Sequence, residues 1–140
     1  MDDDEVRARF ARARVARLAT VDGQHRPHLV PVCFALDGAT IVTAVDAKPK
    51  TTTALRRVAN VRANPAVSLL VDHYDDDDWT QLWWARADGD ARVLDDGPDH
   101  EQAVARLVAR YAQYRATPPS GPAIVVTVRR WRGWAWRQEP

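Results

Sequence analysis

The chain has 140 residues, a length suited to one domain, 1–140, with a substantial core. Charged residues make up 28% and the formal net charge is +1, which argues against a general nucleic-acid binder or a polybasic membrane-surface protein. The single cysteine excludes an internal disulfide. The acidic start of the chain and the lack of a long apolar run predict a cytoplasmic protein.

The first third of the chain predicts a helix followed by an antiparallel meander. Asp2–Asp4 favour a helix start, and apolar residues follow at helical spacing. The spacing then changes to the two-residue alternation of strands in three segments, residues 15–21, 27–36 and 39–45. Asp-Gly pairs between these segments predict two hairpin turns.

The rest of the chain mixes helices and strands. In chain order the patterns predict a helix from Thr51 or Thr52 to about Val61, a strand at Ala66–Tyr74, a long strand or hairpin at Gln81–Asp96, a helix at Gly97–Tyr114 and a strand at Ala123–Trp136. Six strands and three helices indicate an α+β protein built on one antiparallel sheet. Closure into a small barrel would hide the edges of that sheet.

The segment after the third predicted strand concentrates basic and hydroxyl groups. Of the 20 Lys and Arg residues only Lys48 and Lys50 are lysines, and they come directly before Thr51 and Thr52. A helix start offers free N–H groups and partial positive charge to an anion, and Arg57 can reach back from the next turns. We therefore expect a phosphate site here. The alternative is a pair of solvated lysines beside an ordinary threonine cap.

Three stretches together resemble the flavin and deazaflavin oxidoreductases of the split β-barrel superfamily, which includes pyridoxamine-phosphate oxidase. They are RVARLATVDGQHRPHLVPVCFALDG, KPKTTTALRRVANVRANPAVSLLVDHY and LWWARADGDARVL, and the similarity extends over about residues 5–137. The chain is most similar to the actinobacterial branch that uses the 8-hydroxy-5-deazaflavin coenzyme F-420. The resemblance implies an α+β fold, a six-stranded antiparallel split β-barrel (FMN-binding split barrel) with flanking helices. It also implies a homodimer with cofactor sites at the subunit interface.

The resemblance also assigns cofactor-binding residues in two sets. The phosphate set is Lys48, Lys50, Thr51, Thr52 and Arg57. The ring set is Thr43, Ala44 and Val45 at the end of the third strand, with Pro31 and Val32 on the neighbouring strand. The flavin members carry a Ser/Thr-Arg-Lys run where this chain has Lys-Pro-Lys-Thr-Thr, so coenzyme F-420 is favoured over FMN.

The six tryptophans are predicted to serve mainly in the core and the dimer interface. Trp83 and Trp84 are adjacent, so on a strand they would point to opposite faces. Trp134 and Trp136 would share one face of the last strand. Trp84 is the residue that we expect to line the cofactor pocket.

No catalytic side chain and no metal site is predicted. Asp72, His73 and Asp75 could suggest metal ligands, but successive strand side chains point to opposite faces and do not converge. Hydride transfer with a small organic substrate would then be chemistry of the cofactor. Two alternatives stay open: an FMN-dependent oxidase or reductase of the same fold, and a non-catalytic carrier of flavin, haem or a tetrapyrrole, with His28 or His73 as haem ligand.

Overall fold

The computed structural model describes residues 1–46 and 52–136, apart from the side chains of residues 52–54. The helices of this part are α1 (Asp3–Arg12), α2 (Thr52–Ala63), α3 (Pro98–Arg110) and α4 (Ala112–Ala116), with a 3-10 turn at Trp79–Gln81. The strands are β1 (Ala16–Val21), β2 (Pro27–Val32), β3 (Ala35–Asp37), β4 (Thr40–Ala44), β5 (Ala66–His73), β6 (Trp83–Leu94) and β7 (Ala123–Ala135). None of the helices in the described ranges has the length and apolar character needed to cross a membrane.

All the strands join one antiparallel sheet in the order β2-β1-β5-β6-β7-β4-β3. Its two outer strands, β2 and β3, are consecutive in the chain and are separated only by Cys33 and Phe34. The sheet therefore curls so that its two outer strands are the halves of one bent segment. The prediction of an α+β protein with a curled antiparallel sheet is confirmed.

The predicted count of six strands is wrong, since the described residues form seven. The predicted strand 27–36 bends at Cys33 and Phe34, which takes the backbone of Phe34 out of the strand pairing. The Tyr111 side chain satisfies that backbone instead. Its hydroxyl accepts a hydrogen bond from the Phe34 N–H at 3.1 Å and lies 2.9 Å from the carbonyl oxygens of Phe34 and Arg14.

Tyr111 also interrupts the predicted helix Gly97–Tyr114, which is two helices in the structure. The residue is extended, with φ −117° and ψ 118°, and it lies between α3 and α4. It is also 9% exposed. Burial of its ring and the hydrogen bonds of its hydroxyl compensate for the interrupted helix.

The two Asp-Gly hairpin turns are confirmed. β1 and β2 pair across a loop in which Asp22 accepts backbone hydrogen bonds and His25 takes a positive φ of 64°. β3 and β4 pair across Gly38, whose φ is 59°. Glycine adopts that conformation without steric cost.

The segment predicted as a long strand or hairpin is the single strand β6. Its pairing with β7 shifts register between Asp88 and Gly89, so one residue of β7, Arg129, is extra. A Cβ at Gly89 would lie only 2.2 Å from the Thr127 carbonyl oxygen. The glycine is therefore needed for close approach of two strands and not for a turn.

Two groups of buried side chains hold the helices to the sheet. Inside the curl, Phe10 of α1 packs edge-on against Phe34 and Trp131, with ring centroids 5.9 and 5.6 Å apart. Outside it, Leu107 of α3 packs with Tyr111 against β4 and β7. Both groups border the bend between β2 and β3.

The contact between Tyr111 and Phe34 can be tested by mutation. Tyr111→Phe should lower the free energy of unfolding by about 1–3 kcal/mol, because it leaves buried backbone groups without partners. Urea denaturation followed by tryptophan fluorescence measures this. The control is Tyr74→Phe, which removes a hydroxyl from a 60% exposed ring and should change stability by less than about 0.5 kcal/mol. Equal effects of the two variants would contradict the role given to Tyr111.

Candidate functional site

The end of β4 is fixed where the sheet closes. The hydroxyl of Thr43 donates a hydrogen bond to the Cys33 carbonyl oxygen at 2.7 Å, which ties the strand to the β2–β3 bend. Two residues further on, the Val45 N–H donates to the Pro122 carbonyl oxygen at 2.9 Å, and the Val45 carbonyl oxygen accepts from the Gly121 N–H at 3.2 Å. The strand end is therefore held from both sides.

The backbone groups of Ala44 point to the side of β4 that faces β3, beyond the last pair of those two strands. N–H and C=O groups alternate sides along an antiparallel strand, so those of Ala44 point away from the side used by Val45. On that side the pairing with β3 ends at Ala35 and Val42. Ala44 thus offers a hydrogen-bond donor and an acceptor of the kind that the predicted ring set requires.

The two predicted residues on β2 differ in what they can offer. The Asp22 N–H donates to the Arg26 carbonyl oxygen at 3.0 Å, and this bond decides which residues of β2 direct their backbone groups to β1, since bonded and non-bonded pairs alternate. By this alternation the N–H and C=O of Val32 face β1, and Val32 is buried in the core, with 6% exposure. Pro31 is exposed and faces the free edge of the sheet. Pro31 can contact a ligand directly, whereas Val32 supports the wall from beneath.

Three members of the predicted phosphate set lie outside the described residues: Lys48, Lys50 and Thr51. Thr52 is the first residue of α2, as predicted for a residue at a helix start. Arg57 is half-buried on the same helix, and this burial lowers the pKa of its guanidinium, an effect that the negative charge of Asp46 opposes. A partly desolvated cation of this kind gains when an anion binds beside it.

Sequence reasoning missed Asp46 and Tyr114 as members of this group. The Tyr114 hydroxyl lies 3.3 Å from a carboxylate oxygen of Asp46 and can donate to it. Burial, followed by the charges of Asp46 and Cys33, raises the pKa of Tyr114 well above its usual range. The only sequence signal for Tyr114 was its place three residues after Tyr111, and nothing local relates it to Asp46.

Trp84 lies far from the other predicted site residues of the same chain. It pairs with Trp134 of β7, whereas Thr43 pairs with Ile124 at the other end of that strand. Ten residues of strand, roughly 30 Å, separate the two positions. One protomer therefore does not bring Trp84 to the end of β4.

The other tryptophans of β6 and β7 lie on both faces of the sheet. Trp83 packs against the core while Trp84 lies under the Arg86 guanidinium on the outer face, so the adjacent pair does point to opposite faces. Trp134 and Trp136 contact each other edge-on, with ring centroids 6.4 Å apart, and both are exposed.

Over residues 1–46 and 52–136, no cluster of three or more His, Cys, Asp or Glu side chains could hold a metal ion.

The curled antiparallel sheet, its bent edge segment and the helix after β4 define a split β-barrel. The chain belongs to the pyridoxamine 5'-phosphate oxidase family, whose profile matches residues 2–135. This confirms the resemblance to the wider superfamily, while the closer relation to the coenzyme F-420 branch stays a prediction. No curated protein sequence matches the chain.

Solved structures with this fold include proteins with different ligands. A conserved hypothetical protein of Mycobacterium tuberculosis is 22% identical, with TM-score 0.74 over 98% of this chain and 86% of that one. An FAD-binding protein of Mesorhizobium loti is 20% identical, with TM-score 0.68 over 95% and 94%. The heme storage protein HutZ of Vibrio cholerae is 17% identical, with TM-score 0.70 over 95% and 93%. At these identities the likeness concerns the fold alone.

The raised pKa of Tyr114 predicts a loss of stability at high pH. The folded state keeps this phenol protonated where the unfolded chain, with an ordinary pKa of about 10, releases the proton. The contribution is therefore complete below about pH 10 and is lost as the pH rises above it. Urea unfolding between pH 8 and 11.5 should show a steeper loss for the natural protein than for Tyr114→Phe.

Asp46→Asn provides the matched control for that measurement. It removes the charge that opposes ionisation and keeps the shape of the side chain, so the loss of stability with pH should become smaller. Identical pH profiles for the natural protein and Tyr114→Phe would show that Tyr114 titrates as in the unfolded chain.

Proposed function

We propose that this protein is an oxidoreductase that binds a flavin-type cofactor, with coenzyme F-420 preferred to FMN, and exchanges a hydride with a small organic substrate. The observation that supports this most is the half-buried Arg57 near the end of β4, where the backbone of Ala44 lies beyond the last pair with β3. A planar ring with an anionic tail has both kinds of partner that these groups need. Membership of an oxidase family agrees with the reaction class.

The residues present fit such a cofactor on electrostatic grounds. Asp46 compensates Arg57 only by its charge, because no carboxylate of the described residues lies within ion-pair distance of that guanidinium. Lys48 and Lys50 precede the same helix in the sequence. A phosphate at this point would meet several cations and the start of α2.

The bound cofactor would supply the redox chemistry, and the chain would bind and orient it. Arg57 holds the anionic tail, the N–H and C=O of Ala44 bind polar atoms at the ring edge, and Pro31 forms an apolar wall. Tyr114 is protonated at neutral pH, as any phenol of ordinary pKa is, so its hydroxyl can donate to the Asp46 carboxylate. No catalytic side chain is assigned, in keeping with chemistry carried by a cofactor.

The functional unit in this proposal is a homodimer with the cofactor sites at the subunit interface. Trp84 can line such a site only when it comes from the second protomer, since it lies far from the end of β4 in its own protomer. The outer face of β1 and β2 offers an exposed surface for the contact, with Leu29 66% exposed. Sedimentation at micromolar concentrations should give twice the mass of the chain, and a monomer would leave Trp84 without a role.

Cofactor binding gives the direct test. Fluorescence titration should show saturable binding of coenzyme F-420 that is tighter than binding of FMN. Lys48→Ala combined with Lys50→Ala, or Arg57→Ala alone, should weaken it about tenfold or more, because a charge-assisted hydrogen bond is worth roughly 1.5–3 kcal/mol. Arg62→Ala is the matched control, since this arginine of α2 is exposed and pairs with Asp95 at 2.8 Å.

The single cysteine provides a second readout of the same binding. Cys33 is exposed, and its carbonyl oxygen accepts the hydrogen bond of Thr43 at the end of β4. A bound ring should slow the reaction of its thiol with a reagent such as iodoacetamide. Saturable binding without protection of Cys33 would move the ring to another surface, and no binding of either cofactor would refute the proposal.

A second candidate is a non-catalytic carrier of haem or flavin. It is favoured by the fold shared with the heme storage protein of Vibrio cholerae. Of the two proposed haem ligands, His73 stacks on Trp83 with ring centroids 6.4 Å apart, and His28 lines a cavity. A Soret band on haem addition that His28→Ala or His73→Ala abolishes would favour this candidate.

A further inference from the structure

We propose that the cavity between the β1–β2 hairpin and α2 is a separate binding site for a carboxylate or phosphate group. The cavity measures about 380 Å³ and its lining residues are Asp22, Arg26, Pro27, His28, Arg56 and Asn60. One wall is α2, which packs Val58 and Val61 into the core, and the other is the β1–β2 hairpin. Its binding groups are Arg56, His28 and Asn60.

The charge of the cavity is decided by Arg56. Arg26 is neutralised by Asp22, with Nε and Oδ2 3.0 Å apart, and the Asp22 carboxylate also accepts the N–H groups of Gln24 and Arg26. That carboxylate is therefore occupied by its own loop. Arg56 has no carboxylate within ion-pair distance among the described residues, and Arg57 adds a second positive charge nearby. A small anion would compensate this excess.

His28 has an unused polar atom at the same place. Its Nδ1 is buried and has no hydrogen-bond partner among the described residues. Burial, and then the charges of Arg56 and Arg57, lower the pKa of this imidazole. The ring is therefore neutral at pH 7, where it can donate one N–H to an anion. A bound anion would offset the arginine charges and raise the pKa of His28.

Asn60 completes the set and is itself preorganised. Its side chain is 4% exposed, and its amide nitrogen donates to the Thr20 hydroxyl at 3.0 Å. The amide is thereby held in one orientation and keeps a second N–H that can donate to a ligand. A site whose polar groups are already ordered loses little freedom when an anion binds.

The shared chemistry of the ligand is an oxygen-rich anionic group, and it has two sources. One is the distal end of a cofactor tail that runs past the start of α2, and only this source rests on the proposed function. The other is a free small acid or phosphate ester. Titrations with phosphate, glutarate and the two cofactors distinguish the two sources.

The test is the titration of His28 by NMR in the full chain without cofactor, using inorganic phosphate and glutarate as probes. The His28→Gln variant assigns the signal among the four histidines. We expect a saturable rise in the pKa of His28 with at least one probe. Arg56→Gln should weaken that binding at least about tenfold, the loss expected of one charge-assisted hydrogen bond.

Arg62→Gln is the matched control, because it removes the same charge from the same helix outside the cavity. It should leave the affinity of the probe unchanged. Sodium chloride at equal ionic strength accounts for general screening, which is not saturable at a site and does not depend on Arg56. A pKa of His28 that does not respond to the probes, or responds equally in the natural protein and Arg56→Gln, would overturn the proposal.

The two sources are then distinguished with the cofactors. If the tail occupies the cavity, coenzyme F-420 raises the pKa of His28 and displaces phosphate, and FMN does neither. If a free acid is the natural occupant, phosphate or glutarate binds equally well to protein saturated with cofactor. Failure of both cofactors to bind would refute the proposed function, while the phosphate and glutarate titrations would still decide this site.

Discussion

The fold depends on how the backbone is satisfied at the bend between β2 and β3. A sheet that closes with short strands must turn a corner, and the peptide groups at that corner lose their partners in the neighbouring strand. Here the Tyr111 hydroxyl accepts from the Phe34 N–H, and its one proton is shared between the carbonyl oxygens of Phe34 and Arg14. The same bend places Cys33 beside Thr43, so the corner that closes the sheet also builds the candidate site.

Helix α2 carries two adjacent arginines with different surroundings. Arg57 is half-buried near the negative charge of Asp46, whereas Arg56 borders the cavity that His28 also lines. The position of α2 is fixed, because Asn60 donates a hydrogen bond to the Thr20 hydroxyl and because Val58 and Val61 are buried in the core. The backbone that carries both arginines is thus fixed before any ligand binds, and this reduces part of the ordering cost of binding.

The family fold leaves the choice of ligand to side chains. Structures that share it at 17–22% identity include a FAD-binding protein and a heme storage protein. One architecture therefore serves different ligands, and function has to be argued from the local groups. In this chain the local groups are Arg57 of α2 and the backbone of Ala44 at the end of β4. The proposal of a planar, anionic ligand depends on them.

The sequence by itself determined most of the helices and strands in order, both hairpin turns, the antiparallel sheet and the resemblance to the family, because alternation, turn residues and helix starts act over a few neighbouring residues. It also indicated Ala44, Pro31 and Arg57. Only the tertiary structure decided the bend at Phe34, the partnership of Asp46 with Tyr114, and the distance of Trp84 from β4. These depend on sheet closure, which brings residues up to 97 positions apart into contact through hydrogen bonds that no local pattern encodes.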